Sequence, residues 1–393
     1  NGGTKNGEDG AIACDHYHRF EEDLDLLVDA GFDAYRFSFS WSRLFPDGRN
    51  LNIKGLDFYK KLLDAINSRG LRPFGTAYHW DMPQALGALG GWTVRENAMR
   101  FGEYMGFIAR NFGDDLENLV SINEPWCVAW LSYYLGEHAP GLKDLDSAAK
   151  ASHYVCLGHG LGVQAARSET KKPLGIVLNF TPGRLADNSD SNISALEQYE
   201  AITNTWYLSA MTKGEYPDAA LRNLEAFLPH NWQSDMNIIK DPIDFIGINY
   251  YTTVMLEAGV QDFPFVKTVD RNLPKTDMGW EIEPSGLTDA INLVSHYAPD
   301  LPLYITENGM ASAETIADED RIAYYSDHLN EVAKSVGNLP IKGYFAWSLL
   351  DNFEWALGYQ KRFGIVHVDY KTQRRTKKES FKWWQSGLVR SCQ

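Results

Sequence analysis

Leu303-Tyr304-Ile305-Thr306-Glu307-Asn308-Gly309 is the stretch from which the fold can be read. Its apolar, β-branched run predicts a buried strand. The strand stops at a lone carboxylate, and Asn308-Gly309 then turns the chain. A charge at the end of a buried strand is costly unless something pairs with it. Leu119-Val120-Ser121-Ile122-Asn123-Glu124-Pro125 repeats the design: apolar run, glutamate, breaker. Two strand ends that each deliver a glutamate point to a carboxylate pair.

Further strands are expected at 34–39, 72–78, 174–180, 243–249 and 341–347, mostly separated by helical periodicity. Asp15 reads as the cap of a helix carrying Phe20, Leu24, Leu27 and Val28 on one face and ending at Gly31. Leu56, Tyr59, Leu63 and Ile66 form a second such face, and Phe101, Tyr104, Met105 and Ile108 a third. Repeated βα units imply a parallel sheet. Many of the strands finish in polar residues: Ser38, His79, Asn123-Glu124, Asn249-Tyr250-Tyr251, Glu307, and 351–355 after the last. Chemistry gathered from many strand ends belongs to an α/β fold of the (β/α)8 TIM barrel type, whose site lies at the C-terminal face. A doubly wound sheet would carry a Gly-rich phosphate turn at one switch point, and no G-x-G-x-x-G follows a strand here.

The count reaches seven strands, and the chain opens with a helix, so the first β-strand of the barrel is read as missing from the sequence. Segments 187–204 and 252–283 read as loop insertions and 371–393 as a basic, aromatic helix. With no linker or repeat, 1–393 is expected to form a single catalytic domain.

Composition narrows the partners. The chain has 393 residues, 44% hydrophobic and 23% charged, which suits a globular protein with ample core. A net charge of −15 argues against nucleic acid and anionic membrane. Cys14, Cys127, Cys156 and Cys392 show no CxxC or metal spacing and read as reduced thiols of a cytoplasmic protein. Neither a metal nor a cofactor is expected, and oligomeric state is not legible.

Two strand-end glutamates facing each other across a barrel mouth suit glycoside hydrolysis. One carboxylic acid protonates the leaving oxygen while the other carboxylate attacks or activates water. The pair must titrate apart. Arg36, ending its own strand inward, is a candidate partner that keeps Glu307 ionised, whereas Glu124 has no obvious cation in its surroundings and can hold its proton.

Ser121-Ile-Asn-Glu-Pro125 and Ile305-Thr-Glu-Asn-Gly309 resemble the two catalytic signatures of glycoside hydrolase family 1, the β-glucosidase family. Cys14-Asp-His-Tyr-His-Arg19, Tyr35-Arg-Phe-Ser-Phe-Ser-Trp41, His79-Trp-Asp81, Gly247-Ile-Asn-Tyr-Tyr-Thr252 and Trp347-Ser-Leu-Leu-Asp-Asn-Phe-Glu-Trp355 are similar to that family's motifs, in its order. The resemblance spans essentially the whole chain. It implies a retaining double displacement with Glu307 as nucleophile and Glu124 as acid/base. It further implies that His79, Asn123 and Glu354 hold sugar hydroxyls, that Trp347 stacks beneath the ring, and that Trp355 bonds through its indole N–H. Tyr251 would donate to Glu307, with Arg36 and Asn249 in support. Trp126, Trp130 and Trp280 would either line the aglycone entrance or simply pack, and His16 and His18 are taken as structural.

A carboxylate at Glu354 would repel a phosphorylated sugar, and Glu124 favours O-glycosides over thioglucosides. The implied substrate is a short β-linked glucoside or oligosaccharide such as cellobiose or an aryl glucoside. The alternatives are a broad β-galactosidase/β-fucosidase and a truncated form that binds sugar without turnover. The family's opening strand, which ends in a glycon-binding glutamine, has no counterpart here, and Ser121 stands where threonine is usual.

Overall fold

The computed structural model describes residues 3–259, 263–313 and 315–391. Its centre is a seven-stranded sheet: β1 (Ala34–Ser38), β2 (Arg72–Tyr78), β3 (Asn118–Asn123), β4 (Leu174–Phe180), β5 (Phe245–Tyr250), β6 (Leu303–Asn308) and β7 (Ile341–Ala346). Each strand pairs in parallel with the next in chain order. Helices intervene between most successive strands, as the right-handed βα crossover requires. This is the architecture of a (β/α)8 barrel, nearly closed. β1 and β7 stand at the two ends of the strand order and are not paired with each other. Both line one cavity of about 380 Å³ together with Leu27, Phe32, Phe58 and Ile365. Burial follows from this layout: β3 and β5 are buried throughout, while β1 and β7 are mostly half-buried.

Helices pack apolar stripes onto the outside of the sheet. Helix Arg95–Phe112 buries Phe101, Tyr104, Met105 and Ile108. Helix Ile53–Ser68 buries Tyr59, Leu63 and Ile66, with Leu56 only partly covered. Inside the barrel, Val120, Val177 and Phe245 form a separate cluster with Tyr304, and Phe74 touches Tyr304 and Phe345 edge-on. These side chains fill the interior below the strand ends and give the site a dry floor.

Register shifts set up the mouth. Against β4, β3 slips between Val120 and Asn123. Between β5 and β6, Ile248 faces Ile305 but Asn249 faces Glu307. Each slip re-aims the residues that follow it, and each lies just before one of the two glutamates.

Several expectations are corrected. Segment 187–204 contains helix Asp190–Glu200, whose buried face includes only Asn192 and Ala195, so its polarity hid it. Segment 252–283 contains strands Val254–Ala258 and Val266–Val269, which join Gly183–Leu185 in a small sheet outside the barrel. The expected helix over 371–393 begins only at Glu379. Before it, Arg374–Lys377 pairs antiparallel with Val366–Asp369, and Arg375 on that strand reaches the buried Asp23. Val28 is 46% exposed; the buried stripe of helix His16–Ala30 is Asp23, Leu24, Leu27 and Ala30. Asp15 precedes that helix with φ 51 and spends its carboxylate on His18 rather than on a helix N–H. Cys14, Cys127 and Cys156 are free thiols, and Cys392 lies outside the described residues. Among the described residues no helix is long and apolar enough to cross a membrane.

Candidate active site

Every strand-end residue singled out in the sequence arrives at the same end of the barrel, because all seven strands run in parallel. Glu124 follows β3 with φ 50 and is succeeded by Pro125 and a π-helical turn, Cys127–Leu131. Such left-handed and π-type geometry is unfavourable in isolation and persists where surrounding contacts enforce it. Glu307 lies within β6, one residue before its end. Glu124 is 5% exposed and Glu307 3%, so each needs partners.

Those partners form one connected set. Arg36 donates to Glu307 Oε1 at 2.7 Å and, from its other terminal nitrogen, to Asn123 Oδ1 at 2.6 Å. The Tyr251 hydroxyl donates to Glu307 Oε2 at 2.6 Å. Asn249 Nδ2 donates to Glu124 Oε1 at 2.6 Å and to Asn123 Oδ1 at 3.1 Å, while its own Oδ1 accepts from Thr306 Oγ1 at 2.7 Å. The Cys127 thiol donates to Glu124 Oε2 at 3.1 Å. Asn123 Nδ2 lies 3.3 Å from His79 Nε2. Asn123 and Asn249 therefore link the two carboxylates, and a displacement of either is felt at both.

The charges divide accordingly. Burial, and then the negative field of Glu307, raise Glu124 to about 7, against smaller lowering by Asn249, Cys127 and Arg36. Glu124 thus holds a proton near neutrality. Glu307, by contrast, receives a guanidinium and a phenol, both donors suited to an anion. Tyr251 stays a neutral donor because burial and the Glu307 charge push its hydroxyl far up. His79 is driven down to about 3 by burial and the nearby Arg36, so its imidazole is neutral.

Aromatic rings wall the mouth. The His79 ring lies 6.0 Å from Trp347 and 6.1 Å from Trp355, nearly parallel to both. Trp80 meets Trp355 at 5.0 Å and anchors itself by donating its indole N–H to the Asn123 carbonyl at 2.9 Å. Glu354, on the loop after β7, is raised to about 8 by burial, then by the charges of Glu307 and Glu124. Among the described residues none donates to its carboxyl. The 380 Å³ cavity reaches this region through Arg36, His79 and Trp347 but runs beside the glutamates, which do not line it.

The structure brings Glu124, Glu307, Arg36, Asn123, Asn249 and Tyr251 into one hydrogen-bonded group, with His79, Trp347, Trp355 and Glu354 beside it. Trp280 touches the Tyr251 ring at 5.3 Å. Trp130 is core, stacked on Phe263, and Trp126 is partly buried against the same core. His16 bridges Asp23 and Tyr35, away from the glutamates; His18 is an exposed partner of Asp15. Sequence reasoning missed Cys127, Trp80 and Thr306. Cys127 sits one helical turn after Glu124, a spacing that could have flagged it. The roles of Trp80 and Thr306 depend on contacts across strands and carry no such local signal.

A family model described as Glycosyl hydrolase family 1 matches residues 1–391. The chain is 41% identical over 400 residues to Beta-glucosidase A of Thermotoga maritima, covering 99% of this chain and 90% of that one. It is 38% identical over 421 residues to a bifunctional beta-D-glucosidase/beta-D-fucosidase of Bifidobacterium breve, covering 98% and 89%. A solved family 1 β-glucosidase from Thermotoga maritima in complex with isofagomine lactam superposes with a TM-score of 0.96 at 40% identity, over 99% of this chain and 90% of that one.

Proposed function

The chain belongs to glycosyl hydrolase family 1, and from that premise we infer that it is a retaining β-glucosidase in which Glu307 is the nucleophile and Glu124 the acid/base. The observation that carries the assignment is the unequal provision for the two carboxylates. Glu307 is held by Arg36 and Tyr251, while Glu124 is kept protonated near neutrality by burial and the Glu307 charge.

In the first step a Glu307 oxygen attacks the anomeric carbon while Glu124 gives its proton to the departing glycosidic oxygen, leaving a glycosyl ester on Glu307. Esterification removes the Glu307 charge, one of the two causes that raise Glu124. Glu124 therefore becomes the stronger acid at the moment when its carboxylate is needed. In the second step it takes a proton from water, the water attacks the anomeric carbon, and Glu307 leaves as the carboxylate. Two inversions give net retention.

Substrate recognition follows from the walls. His79, Asn123 and Glu354 bind sugar hydroxyls, Trp347 stacks on the ring, and Trp355 donates its indole N–H. Glu354, raised to about 8, brings no positive charge to a 6-phosphate and so disfavours it. Short O-glucosides such as cellobiose and aryl glucosides are the substrates of this reading. The relative from Bifidobacterium breve favours a second, broader reading in which β-fucosides are cleaved too, and the ratio of kcat/KM on p-nitrophenyl β-glucoside, β-galactoside and β-fucoside separates the two. The chain acts as one catalytic domain, and its described free thiols accord with a cytoplasmic setting.

The test is covalent trapping. An activated 2-deoxy-2-fluoro-β-glucoside should inactivate the protein and leave a fluoroglucosyl adduct that peptide mapping places on Glu307. Glu307→Gln should neither be labelled nor release p-nitrophenol. Sugar binding by a folded sample with no labelling and no turnover would refute the enzymatic reading for this chain.

A further inference from the structure

The loop that carries Glu354 and Trp355 is an irregular segment without a sheet partner of its own. It holds only a short 3-10 turn, Trp355–Leu357, and two left-handed residues, Trp355 at φ 46 and Gly358 at φ 62. A non-glycine residue such as Trp355 keeps that conformation only if something outside the loop enforces it. Glu354 cannot do so through its side chain, since among the described residues nothing donates to its carboxyl. Its position is therefore set by its backbone. The Glu354 N–H donates to the Gly358 carbonyl at 2.7 Å, and the Leu357 N–H returns to the Glu354 carbonyl at 2.9 Å. Wherever Gly358 and Tyr359 are fixed, Glu354 is fixed with them.

What fixes them comes from the opposite end of the chain. Glu8 Oε2 accepts the Tyr359 N–H at 2.8 Å, a charge-assisted bond to backbone. The same oxygen lies so close to Gly358 that a Cβ there would overlap it. The next residue adds a second tie: the Asp9 carbonyl accepts the Tyr359 hydroxyl at 2.6 Å. Gly10 then packs against the Phe353 ring, which itself touches Tyr359 at 5.3 Å. Glu8 is held in turn by a 3-10 turn, Lys5–Gly7, and by Thr4 Oγ1 donating to its carbonyl at 2.6 Å. On the far side, the Tyr370 ring lies 4.5 Å from Tyr359 at a tilt of 48°, and its hydroxyl donates to the Asn352 carbonyl at 3.0 Å.

We propose that Glu8 is a positioning residue for substrate binding: its carboxylate latches the Tyr359 backbone and thereby holds the loop that presents Glu354 and Trp355 to the sugar. The inference rests on the reading of Glu354 as a sugar-holding residue. The latch works by acceptor geometry, so an amide oxygen of the same reach replaces it, while a carboxylate one methylene shorter does not.

The experiment measures kcat, KM and the melting temperature of Glu8→Ala, Glu8→Gln, Glu8→Asp, Glu354→Gln and the double variant Glu8→Ala/Glu354→Gln on p-nitrophenyl β-glucoside. Glu8→Ala and Glu8→Asp should lose about tenfold in kcat/KM, mostly through KM, the size expected for one hydrogen bond. Glu8→Gln should stay within about twofold of the parent, as retention of the acceptor requires. The double variant should be no worse than Glu354→Gln alone, because both changes act at one point. Melting temperatures that stay together rule out general loosening as the cause. Losses that multiply in the double variant would overturn the latch, as would a folded Glu8→Ala protein with parental kcat/KM. A parental kcat/KM in Glu354→Gln would instead overturn the reading of Glu354 itself, and the latch with it.

Discussion

Asn249→Ala tests the electrostatic division between the glutamates directly. Asn249 is fully buried and serves three partners: Glu124 Oε1 at 2.6 Å, Asn123 Oδ1 at 3.1 Å and Thr306 Oγ1 at 2.7 Å. Its bond to Glu124 favours the carboxylate and so lowers that group. Truncation removes the donor and Glu124 rises further. A hydrogen bond to a charged group is worth roughly 1.5–3 kcal/mol, and one pKa unit is about 1.4 kcal/mol, which brackets the rise at about one to two units. Cys127 still donates to Oε2, and water can enter the space left by the amide, so about one unit is expected. In the proposed mechanism Glu124 is the acid of the first step, so activity is lost as pH rises through its pKa. The alkaline limb of kcat/KM, which reports the free enzyme, should therefore move from about 7 to roughly 8. Misorientation of the acid adds a second signature. Cellobiose, whose leaving group needs protonation, should lose about ten- to hundredfold in kcat/KM. A 2,4-dinitrophenyl glucoside, which leaves unaided, should lose only about threefold. An alkaline limb that stays in place or moves to lower pH would refute the argument, and so would equal losses on both substrates.

Tyr251→Phe removes the donor to Glu307 Oε2 without changing the ring, and should lower kcat/KM by about ten- to fiftyfold; steady-state kinetics on the aryl glucoside would contradict this by showing parental values. Asp23→Asn addresses stability. Burial alone would raise Asp23, but hydrogen bonds from His16 and Arg375 outweigh it and hold the group below its ordinary value. A depressed folded pKa contributes stability above the unfolded pKa and loses it as pH falls through the folded one. Urea unfolding should thus show a deficit of about 3 kcal/mol at pH 7 that shrinks below about pH 4, whereas a deficit independent of pH would count against the linkage. Gly309→Ala places a Cβ on the Trp347 carbonyl oxygen and should cost about 2–3 kcal/mol of stability and displace Trp347; an unchanged melting curve would show that the two segments part freely.

The alternation of apolar strands and amphipathic helices was legible in the sequence because both periods are local, and all seven barrel strands fall where those runs lie. Glu124 and Glu307 were legible for a related reason: a charge that ends a buried strand stands out against its own neighbours. Helix Asp190–Glu200 and strand Arg374–Lys377 were not. The former buries Asn192 and Ala195 against an outlying sheet, and the latter is an arginine-rich strand whose Arg375 is held by Asp23, some 350 positions away. Neither shows an apolar pattern of its own.

The sequence by itself determined the repeating βα units, the polar strand ends and the identity of two carboxylates, since each is written in residues that are close along the chain. The sequence also suggested Arg36 as the cation for Glu307, but only the tertiary structure supplied the contacts that divide the proton between the two carboxylates. That division depends on Arg36 and Tyr251 reaching Glu307 from two other strands and on Asn249 crossing to Glu124. It depends equally on the charge of one glutamate acting on the other through a dry interior. The Glu8 tie to Tyr359 likewise spans 351 positions. Electrostatic fields and hydrogen bonds act through space, and the distances that set them exist only once the barrel has brought its strand ends together.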